Sequence, residues 1–409
     1  MRIWVINHYA LTPDQAGGTR HYDIARALVA KGHQVTIIAA SIHYSSHHEM
    51  KHYPEGSTFL QESIDGIDFI WVKTTPYSGN GIGRVRNMLE FTWKLRQLKS
   101  LKIPRPDIIV GSSVHLFAVF GAYRLARYFD TPFVMEVRDI WPQTLIDLGV
   151  SKYHPFVLLL GWLEPFLYRK ADAIITLLPK ADTHIEKFGI DRQKIFWVSN
   201  GVDLSKFEQP RPTHFLDAEK FNVLYTGTLG KANNLQPLID AAVRLQETPE
   251  IMITLVGDGP ERLALQKAAK EVQNVTFLAL LPKSELPALL QEADLLFVAL
   301  KDIPLYRFGM SMNKLFDYMA ARRPTLFATN IDDNPIKMAD AGITVAPDDV
   351  DAIVNAVRTV YNATKETQKT MGSNGRTYVE RHFSMPVISS HFESALLKAQ
   401  DNHAKNRSR

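Results

Sequence analysis

Short apolar segments rich in Val and Ile alternate with segments whose apolar residues recur at helical spacing, and this alternation runs through both halves of the chain. The first half predicts strands near 3–7, 34–40, 67–73, 107–111, 132–137, 172–177 and 195–198. The second half predicts strands near 222–227, 251–256, 274–278, 294–298, 324–328 and 343–345. Strands that alternate with helices are typical of parallel sheets covered on both faces. The sequence therefore predicts an α/β protein.

The predicted helices lie between these strands, near 19–31, 115–129, 154–170, 180–188, 235–246, 260–271, 284–292, 313–321, 350–362 and 366–381. A chain of 409 residues exceeds one typical domain and fits two of about 200 residues. The periodicity is interrupted over 203–221, which contains Asp203-Leu204-Ser205 and the Pro210-Arg211-Pro212 turn. We therefore predict one domain over 1–202 and a second over 203–384, each doubly wound.

Composition narrows the classes of protein that fit. The chain has no cysteine, which excludes disulfides and cysteine-based metal sites. Its longest clean apolar run, 156–163, is far shorter than the ~18 residues that span a bilayer. Residues 3–6 are interpreted as a buried strand, not a signal peptide. The first 200 residues carry 23 Lys and Arg against 18 Asp and Glu, so this half is modestly basic. We expect a cytoplasmic protein.

The segment Gly309–Ala320 changes from a loop to a helix. The helical spacing is carried by Met312, Leu315, Phe316 and Met319. Ser311, Asn313 and Lys314 then belong to the first turn, where free backbone amides, the helix dipole and a lysine together suit a phosphate. Asp317 lies one turn further on, where a carboxylate suits a sugar hydroxyl. The alternative is an ordinary helix start with a solvated lysine.

Glycine-rich turns follow predicted strands at three places: Gly17-Gly18-Thr19-Arg20, Gly227-Thr228-Leu229-Gly230-Lys231 and Gly257-Asp258-Gly259-Pro260-Glu261. Glycine lets a ligand approach the backbone closely, and Arg20 and Lys231 supply cations that suit a phosphate. Ligands in open α/β sheets bind beyond the carboxyl ends of the strands, where these turns lie. The alternative for each is a plain turn with solvated side chains.

Two further segments end predicted strands. Arg138 and Asp139 stand at the end of strand 132–137, where they either contact donor or acceptor or pair with each other. Asn200 and Gly201 follow strand 195–198 in a turn that we place between the domains. Both segments lie where a ligand of a doubly wound sheet would bind.

Two patterns superficially match metal sites. Asp349-Val350-Asp351 has the Asp-x-Asp spacing, but it stands at a predicted helix start, where acids favour the helix dipole. The histidines 43, 47, 48 and 52 lack supporting carboxylates and are better interpreted as part of a solvated loop. We predict no metal site.

Residues 84–105 hold seven basic residues and one acid, Glu90. An apolar stripe at helical spacing is formed by Met88, Phe91, Leu95 and Leu98. A basic amphipathic helix of this kind can lie on an anionic membrane. Alternatively, the stripe packs on the sheet. The segment lacks the motifs of a nucleic-acid reader, and we expect no nucleic-acid partner.

Six segments, in this order and at domain-sized separations, resemble the retaining, nucleotide-sugar-dependent glycosyltransferases of family-four type. They are 17–20, 138–142, 199–203, 225–230, 257–261 and 313–320. The resemblance covers essentially the whole chain and is strongest to the bacterial WbuB-like branch, which builds surface polysaccharides. It implies a GT-B fold, two Rossmann-like domains facing across a cleft, with the C-terminal helix over 385–409 crossing back to the first domain.

The resemblance also implies roles for individual residues. The second domain would hold the nucleotide, with Asp317 on the ribose and the Ser311–Lys314 turn on the diphosphate, helped by Gly17 and Gly18 across the cleft. No metal or other cofactor is expected, since the nucleotide-sugar is a substrate. Base selection is expected to depend on the loop near 280–283.

From the residues and the resemblance together we predict a catalytic set of Lys314, Arg138 and Asp139. The predicted donor-binding set is Gly17, Gly18, Arg20, Asn200, Gly227, Thr228, Lys231, Asp258, Gly259, Leu281, Ser311, Met312, Asn313 and Asp317. The chain departs from the family pattern at three positions: Gly309 replaces the first Glu of a Glu-x7-Glu pair, Thr228 replaces an Arg, and Asn233 replaces a Lys. The positive charge at the diphosphate must therefore come from Lys231, Lys314, Arg20 or Arg138.

The predicted reaction transfers an N-acetyl amino sugar or hexose, with retention, from a nucleoside-diphosphate donor, with UDP the favoured base. The predicted acceptor is a lipid-linked sugar or polysaccharide of the bacterial surface, and the basic segment 84–105 predicts peripheral contact with the membrane. Two alternatives stay open: a nucleotide-sugar epimerase of the same fold, and a non-catalytic sugar-binding or scaffold protein.

Overall fold

A computed structural model describes the chain except residues 16, 45, 80, 114, 209–212 and 409. The predicted Pro210-Arg211-Pro212 turn lies outside the described residues. The chain divides into two compact units. The N-terminal unit comprises 1–200 and 385–409, and the C-terminal unit comprises 201–384. Among the described residues, no helix is long and apolar enough to cross a bilayer.

The N-terminal unit is built on an eight-stranded sheet of order β3-β4-β2-β1-β5-β6-β7-β8. Its strands are β1 Arg2–Ile6, β2 Gln34–Ala40, β3 Phe59–Ile64, β4 Ile67–Val72, β5 Ile108–Ser113, β6 Phe133–Val137, β7 Ala173–Thr176 and β8 Ile195–Trp197. All pairs are parallel except β3 with β4. The strand order reverses between β1 and β5, which makes their carboxyl ends the topological switch point of this sheet.

Strand β3 is absent from the sequence prediction. It pairs antiparallel with β4 through a two-residue turn, Asp65-Gly66. Both turn residues have positive φ, 51° and 78°, which is the conformation of a type I′ hairpin. An Asp-Gly pair between two apolar segments is a hairpin signal, so this strand could have been found from the sequence.

Helices cover the sheet of the N-terminal unit. They are α1 Arg20–Ala30, α2 Ile82–Leu95, α3 Leu116–Phe129, α4 Gln143–Asp147, α5 Pro155–Lys170 and α6 Asp182–Ile185. Gly121 of α3 lets α2 pack closely, because a Cβ there would lie 2.7 Å from Leu95 Cδ1. The predicted helix near 180–188 is split into the short α6 and a 3-10 turn, Glu186–Phe188.

The C-terminal unit has a six-stranded parallel sheet of order β11-β10-β9-β12-β13-β14. Its strands are β9 Phe221–Thr226, β10 Ile251–Val256, β11 Val275–Leu278, β12 Leu295–Ala299, β13 Thr325–Ala328 and β14 Gly342–Val345. Its helices are α7 Gln236–Leu245, α8 Arg262–Ala268, α9 Leu286–Glu292, α10 Asn313–Ala320, α11 Pro335–Ala339, α12 Val350–Asn362 and α13 Lys365–His382. All thirteen predicted strands are present in the two sheets, each within two residues of the predicted ends.

The last helix, α14 Met385–Arg407, packs on the N-terminal unit, which confirms the expected return of the C-terminal helix. Lys31 and His33 both bind Glu393, at 2.8 Å each. Further along α14, Asn402 Nδ2 donates to the backbone oxygen of Asp172 at 2.8 Å. The chain thus has the two Rossmann-like units and the returning helix of the GT-B fold.

Candidate functional site

The first part of the candidate site lies at the switch point of the C-terminal sheet. β9 is flanked by β10 on one side and β12 on the other, so its carboxyl end marks the reversal of strand order. The loop after β9 begins at Gly227, and α10 begins at the same edge with Asn313. In open α/β sheets, this edge is where ligands bind.

Lys314 lies directly at this switch point. Its ammonium Nζ donates to Tyr225 Oη at 2.7 Å and lies 3.4 Å from Asn233 Oδ1. It also stands over the Tyr225 ring, 4.0 Å from the centroid. The structure therefore brings the lysine of α10 to the end of β9, as the prediction of a phosphate-binding lysine requires.

Among the described residues, the charge of Lys314 has no acidic partner. Within the part of the chain that the structure describes, Lys314 forms no salt bridge. Burial lowers the pKa of Lys314 from its usual 10.5 to about 7. A lysine held in this way gains strongly from an anion, because the anion restores the Coulombic stabilisation that burial removed.

Gly227 keeps the space beside this ammonium free of a side chain. A Cβ at Gly227 would lie 2.9 Å from both Cε and Nζ of Lys314. The glycine also has φ +127°, a conformation that other residues rarely adopt. Thr228 follows it and is exposed. The predicted close approach of a ligand at Gly227 is thus compatible with the structure.

Packing within the C-terminal unit requires glycine at positions 257 and 259. A Cβ at Gly257 would lie 1.9 Å from Gly227 O, and one at Gly259 would lie 2.4 Å from Leu229 O. The Leu229 amide donates to Asp258 O at 2.9 Å, which ties the two loops together. These glycines are therefore required by packing of the β10 loop against the β9 loop, and donor contact at Gly259 stays a prediction. Asp258 remains exposed.

Helix α10 carries the remaining predicted donor contacts. Ser311 and Met312 directly precede the helix, and Met312 occupies the N-cap position without a side-chain cap. An uncapped start leaves first-turn amides available to a ligand. Asn313 is exposed and Asp317 is half-buried one turn later.

Two tyrosines that the sequence prediction missed position these groups. Tyr318 Oη accepts from the Thr226 amide at 2.8 Å and so fixes α10 against the end of β9. Tyr225 Oη donates to Thr228 O at 2.6 Å while it accepts from Lys314. Both tyrosines are fully buried, and burial raises the pKa of each phenol above its usual value. Their apolar rings fit a core pattern, so only the contacts reveal them.

Two further predicted residues lie apart from these contacts. Lys231 is exposed in a 3-10 turn, Lys231–Asn233. Leu281 is half-buried in the segment between β11 and α9. Of the lysines considered for the diphosphate in this unit, Lys314 is the one held at the switch point.

In the N-terminal unit, the predicted phosphate contact of Arg20 is contradicted. The Arg20 side chain is buried, and its Nε donates to Glu136 Oε1 at 2.9 Å. Its other nitrogens donate to the backbone oxygens of Val198 and Ser199 at 2.8 and 2.5 Å. Because these acceptors occupy the guanidinium inside the unit, Arg20 belongs to the framework and not to the donor-binding set.

Glu136 is the centre of this buried network. Its Oε2 accepts from Ser112 Oγ at 2.5 Å and lies 2.6 Å from His21 Nε2. Burial opposes ionisation of Glu136, but Arg20, His21 and Ser112 outweigh it and hold the pKa of this carboxyl well below its usual value. Burial also lowers the pKa of His21. An ionised Glu136 therefore joins α1 to β5 and β6.

Other predicted residues of this unit lie at the same edge of the sheet. Arg138 is half-buried, and its amide donates to Ser113 Oγ at 3.1 Å. Asp139 is exposed, and no salt bridge joins it to Arg138 in the described part of the chain. Asn200 is buried, with its Oδ1 3.4 Å from Arg20 Nη1.

The predicted glycine turn before α1 is also present. Gly17 has φ +132°, and a Cβ there would lie 2.6 Å from Leu11 Cδ1. Gly18 is exposed. The need for glycine at position 17 thus comes from its backbone conformation and from Leu11.

A buried histidine pair at the switch point of the N-terminal sheet was not predicted. His115 caps α3, its Nδ1 accepting from the Ala118 amide at 3.2 Å, so its Nε2 carries the proton. That Nε2 lies 2.7 Å from His8 Nδ1. Burial lowers the pKa of His115 to about 3 and that of His8 well below its usual value. Both rings are therefore neutral, and neither was detectable as a pair because 107 residues separate them.

The Asp-x-Asp pattern has structural roles. Asp349 caps α12 by accepting from the Ala352 amide at 2.8 Å. Asp351 pairs with Arg244. Within the described ranges, no group of three or more His, Asp or Glu side chains is arranged to hold a metal ion.

Two family models match the chain. The one described as a glycosyl transferase 4-like domain matches residues 16–201. The one described as glycosyl transferases group 1 matches residues 220–363. The first match ends one residue beyond the N-terminal unit, the second lies within the C-terminal unit, and together they cover most of the chain.

Curated relatives and solved structures agree with these matches. The chain is 23% identical over 314 residues to a colanic acid biosynthesis glycosyl transferase, WcaI, of Escherichia coli, covering 71% of this chain and 74% of WcaI. It is 26% identical over 297 residues to sulfoquinovosyl transferase SQD2 of Arabidopsis thaliana, covering 68% of this chain and about half of SQD2, 54%. The structure of HepE from Anabaena in complex with UDP and glucose matches with a TM-score of 0.67 at 15% identity, over 97% of this chain and 99% of that one. The chain therefore belongs to the glycosyltransferases of the GT-B fold, with a 4-like N-terminal domain and a group 1 C-terminal domain.

Proposed function

We propose that this glycosyltransferase transfers a hexose or N-acetyl amino sugar from a UDP-sugar, with retention, to a lipid-linked or polysaccharide acceptor of the bacterial surface. The names of WcaI, a colanic acid enzyme, and of HepE, bound to UDP and glucose, support the acceptor and donor classes. We further propose a cytoplasmic enzyme that associates peripherally with the inner face of the membrane.

The main observation that supports the proposed donor site is the position of Lys314. The family resemblance expects a lysine at position 233, where this chain has Asn233. Lys314 Nζ lies 3.4 Å from Asn233 Oδ1, so a lysine from α10 brings its charge to the same place. The space at Gly227 beside that ammonium is free of a side chain. A diphosphate bound here would meet both the cation and the first-turn amides of α10.

The chemistry that this site supports is stabilisation of the leaving group. As the bond from the sugar to the diphosphate breaks, negative charge grows on the diphosphate while positive charge grows on the sugar. A preorganised cation and fixed amides stabilise the first of these charges without reorganising. In this proposal Lys314 and the α10 amides perform that role without a metal, Asp317 binds the ribose, and the loop at Leu281 contributes to base selection. Arg138 and Asp139 are proposed to act on the acceptor or the departing group.

Two alternative functions can be distinguished from glycosyl transfer by the reaction products. A nucleotide-sugar epimerase would convert the donor with no acceptor present. A non-catalytic protein would turn over no nucleotide sugar, and the Gly309, Thr228 and Asn233 departures are the features that favour it. The charge that Lys314 brings to Asn233 supplies what one of these departures removes, which favours an enzyme.

Thermal unfolding with UDP, GDP, ADP, CMP and dTDP, each with a chelator and no added metal, tests the donor class. UDP at ~100 times its dissociation constant should add about 2.7 kcal/mol to the free energy of unfolding and raise the midpoint by a few degrees. UDP-sugars are then screened for transfer, and the anomeric configuration of the product is compared with that of the donor. A selective shift with another base would correct the donor class, and no shift with any nucleotide would overturn the proposed donor site.

The pH dependence of UDP binding should follow the ionisation of Lys314. Because the pKa of this lysine is about 7 in the free protein, the ammonium is lost as the pH rises. Affinity for UDP should therefore fall about tenfold between pH 7 and 8.5, with proton uptake on binding. Calorimetry in buffers of different ionisation enthalpy measures both. Lys314→Arg is the control, since arginine stays charged and should flatten the profile. An unchanged slope in Lys314→Arg would assign the titration to another group.

A further inference from the structure

The apolar stripe that the sequence predicted for a membrane surface is not exposed. Met88, Phe91, Leu95 and Leu98 are all buried in the core of the N-terminal unit. The alternative interpretation of the segment, that its stripe packs inside the protein, is therefore correct. A membrane contact of this segment requires another set of residues.

Helix α2 has a second apolar face, and this one is exposed. It is formed by Ile82, Val85, Leu89 and Trp93, which are spaced by three, four and four residues and so share one side of the helix. Ile82 is 88% exposed, Leu89 47% and Trp93 52%. A helix that is apolar on two sides needs a second apolar environment besides its own core.

This outer face borders an open groove between α2 and α3 with a volume of about 980 Å³. Val85, Leu89 and Trp93 line it from α2, and Phe117, Phe120 and Leu125 line it from α3. Apolar side chains dominate the walls, so water gains few hydrogen bonds in the groove. The groove therefore favours hydrocarbon over solvent.

The exposed apolar surface continues onto α5. Leu158, Leu159 and Trp162 are 58%, 49% and 65% exposed. The Trp162 ring stacks on Phe166 at 5.7 Å between centroids, and Phe166 lies 6.4 Å from Phe120 in the groove wall. We call the outer face of α2, the groove and this face of α5 the α2–α5 surface. Its continuity across three helices makes it too extended for a scattered set of surface residues.

Basic side chains line the groove part of this surface. The groove is lined by Arg86, Arg96, Lys99 and Arg124, and among its described lining residues Glu90 is the one acid. Glu90 is already paired with Lys94, at 2.7 Å. Arg96 stacks on Trp93, with its guanidinium carbon 3.8 Å from the ring centroid, so charge and aromatic ring are held together at the rim.

We propose that the α2–α5 surface binds the surface of an anionic lipid bilayer. Exposed tryptophans with leucines suit the boundary between head groups and acyl chains, and the basic rim complements anionic head groups. This charge complementarity favours a bilayer over a second copy of this chain, because the rim would meet its own positive charge there. Membrane binding would bring the enzyme to a lipid-linked acceptor, and this purpose rests on the proposed function. Binding to lipid itself requires neither donor nor acceptor.

Flotation of the full chain with vesicles tests the proposal. The protein should float with phosphatidylcholine vesicles that contain phosphatidylglycerol, much less with phosphatidylcholine alone, and should be released by salt. Trp93 and Trp162 should enter the interface, so brominated lipid should quench the fluorescence of the wild type and much less that of the Trp93→Phe, Trp162→Phe variant.

Substitutions on the surface separate its apolar and ionic parts. Leu89→Ser with Trp162→Ser should lower the vesicle partition coefficient at least tenfold, and Arg86→Glu with Arg96→Glu should lower it by about the same factor on anionic vesicles. Matched controls in the C-terminal unit are Val243→Ser with Leu263→Ser, and Lys267→Glu with Lys270→Glu, all at exposed positions. The controls should float like the wild type, and unfolding midpoints should confirm that every variant is folded.

Three results would overturn the proposal. They are no flotation of the folded protein, equal flotation on neutral and anionic vesicles, and equal losses in the surface and control variants. If the surface variants floated like the wild type but differed from it in oligomeric state, the surface would be assigned to a protein partner instead. Flotation without any response to UDP would leave the membrane surface intact and overturn the donor site, so the two proposals fail separately.

Discussion

Lys314→Met is expected to weaken donor binding and slow turnover while it stabilises the protein. Removing the ammonium leaves the diphosphate without its cation, so turnover should fall about 10²–10³-fold, as for loss of one preorganised donor to a developing anion. In the unliganded wild type this ammonium is desolvated and lacks an acidic partner among the described residues. Methionine has a similar shape without the charge. Measured together, kinetics and thermal unfolding should therefore move in opposite directions.

The stability gain has a defined pH window. The pKa of Lys314 is about 7 when folded and 10.5 when unfolded, so the folded state binds fewer protons between these values. The charged lysine destabilises the fold fully below pH 7, and this cost disappears as the pH rises towards 10.5. Lys314→Met should thus gain of order 2 kcal/mol at pH 6, discounted because the side chain is partly solvated, and little at pH 10.

Lys231→Met is the matched control, because Lys231 is exposed in a neighbouring turn of the same unit. It should change neither stability nor UDP affinity by more than a few tenths of a kcal/mol. If Lys231→Met lowered turnover as much as Lys314→Met, the diphosphate would be held by the loop after β9 and the role given to Lys314 would be wrong.

The strands were predictable because their signal is local. Ile251–Val256 is a continuous apolar segment whose ends are set by its own residues, and the predicted and observed bounds coincide. Strand β3 is absent from the prediction because its own residues give a weak strand signal. Its burial alternates along Phe59–Ile64 and it includes exposed polar residues, so the Asp65-Gly66 turn carried the stronger signal.

Candidate site residues could be predicted only where the signal lies in the helix or strand that contains the residue. Lys314 could be named as a candidate because its helix start is visible in the sequence. Its environment was not, because Tyr225 and Asn233 lie 89 and 81 residues away along the chain. Tertiary contacts thus decide which of several lysines near a turn has a lowered pKa and free space beside its ammonium group.

Arg20 shows how the same limit produces an error. A basic residue at a helix start after two glycines favours an anion site, and Arg20 does occupy that position. Its partner Glu136 is 116 residues away at the end of a different strand. Glu136 was interpreted as part of a strand, so no local pattern could show that the charge of Arg20 was already neutralised inside the protein.

Glu136→Gln is expected to destabilise the N-terminal unit by about 3–5 kcal/mol, since it removes one partner of a buried ion pair and leaves Arg20 uncompensated. Glutamine also keeps only one acceptor oxygen, so its NH₂ group must face either Arg20 Nε, at the Oε1 position, or both Ser112 and His21, at the Oε2 position. Urea unfolding followed by a probe in the N-terminal unit measures the change. Glu186→Gln, at an exposed carboxylate 3.8 Å from Arg192, is the control and should cost less than ~0.5 kcal/mol.

The pH dependence of the wild type should agree with that result. Because the pKa of Glu136 is held well below its unfolded value of 4.5, its contribution to stability is complete above pH 4.5 and is lost as the pH falls below it. Glu136→Gln lacks this group, so its stability should decline less steeply on acidification. Equal slopes in the two proteins would show that other carboxylates cause the acid sensitivity.

A double-mutant cycle with Arg20→Met then separates framework from donor binding. If Arg20 belongs to the framework, Arg20→Met in the Glu136→Gln background should cost much less than in the wild type, because the unpaired charge is already the source of instability. UDP affinity of the folded variants should change little, since the guanidinium is bound by Glu136 and by two backbone oxygens inside the unit. Additive stability effects, together with a large loss of UDP affinity in Arg20→Met alone, would return Arg20 to the donor site that the sequence first assigned to it.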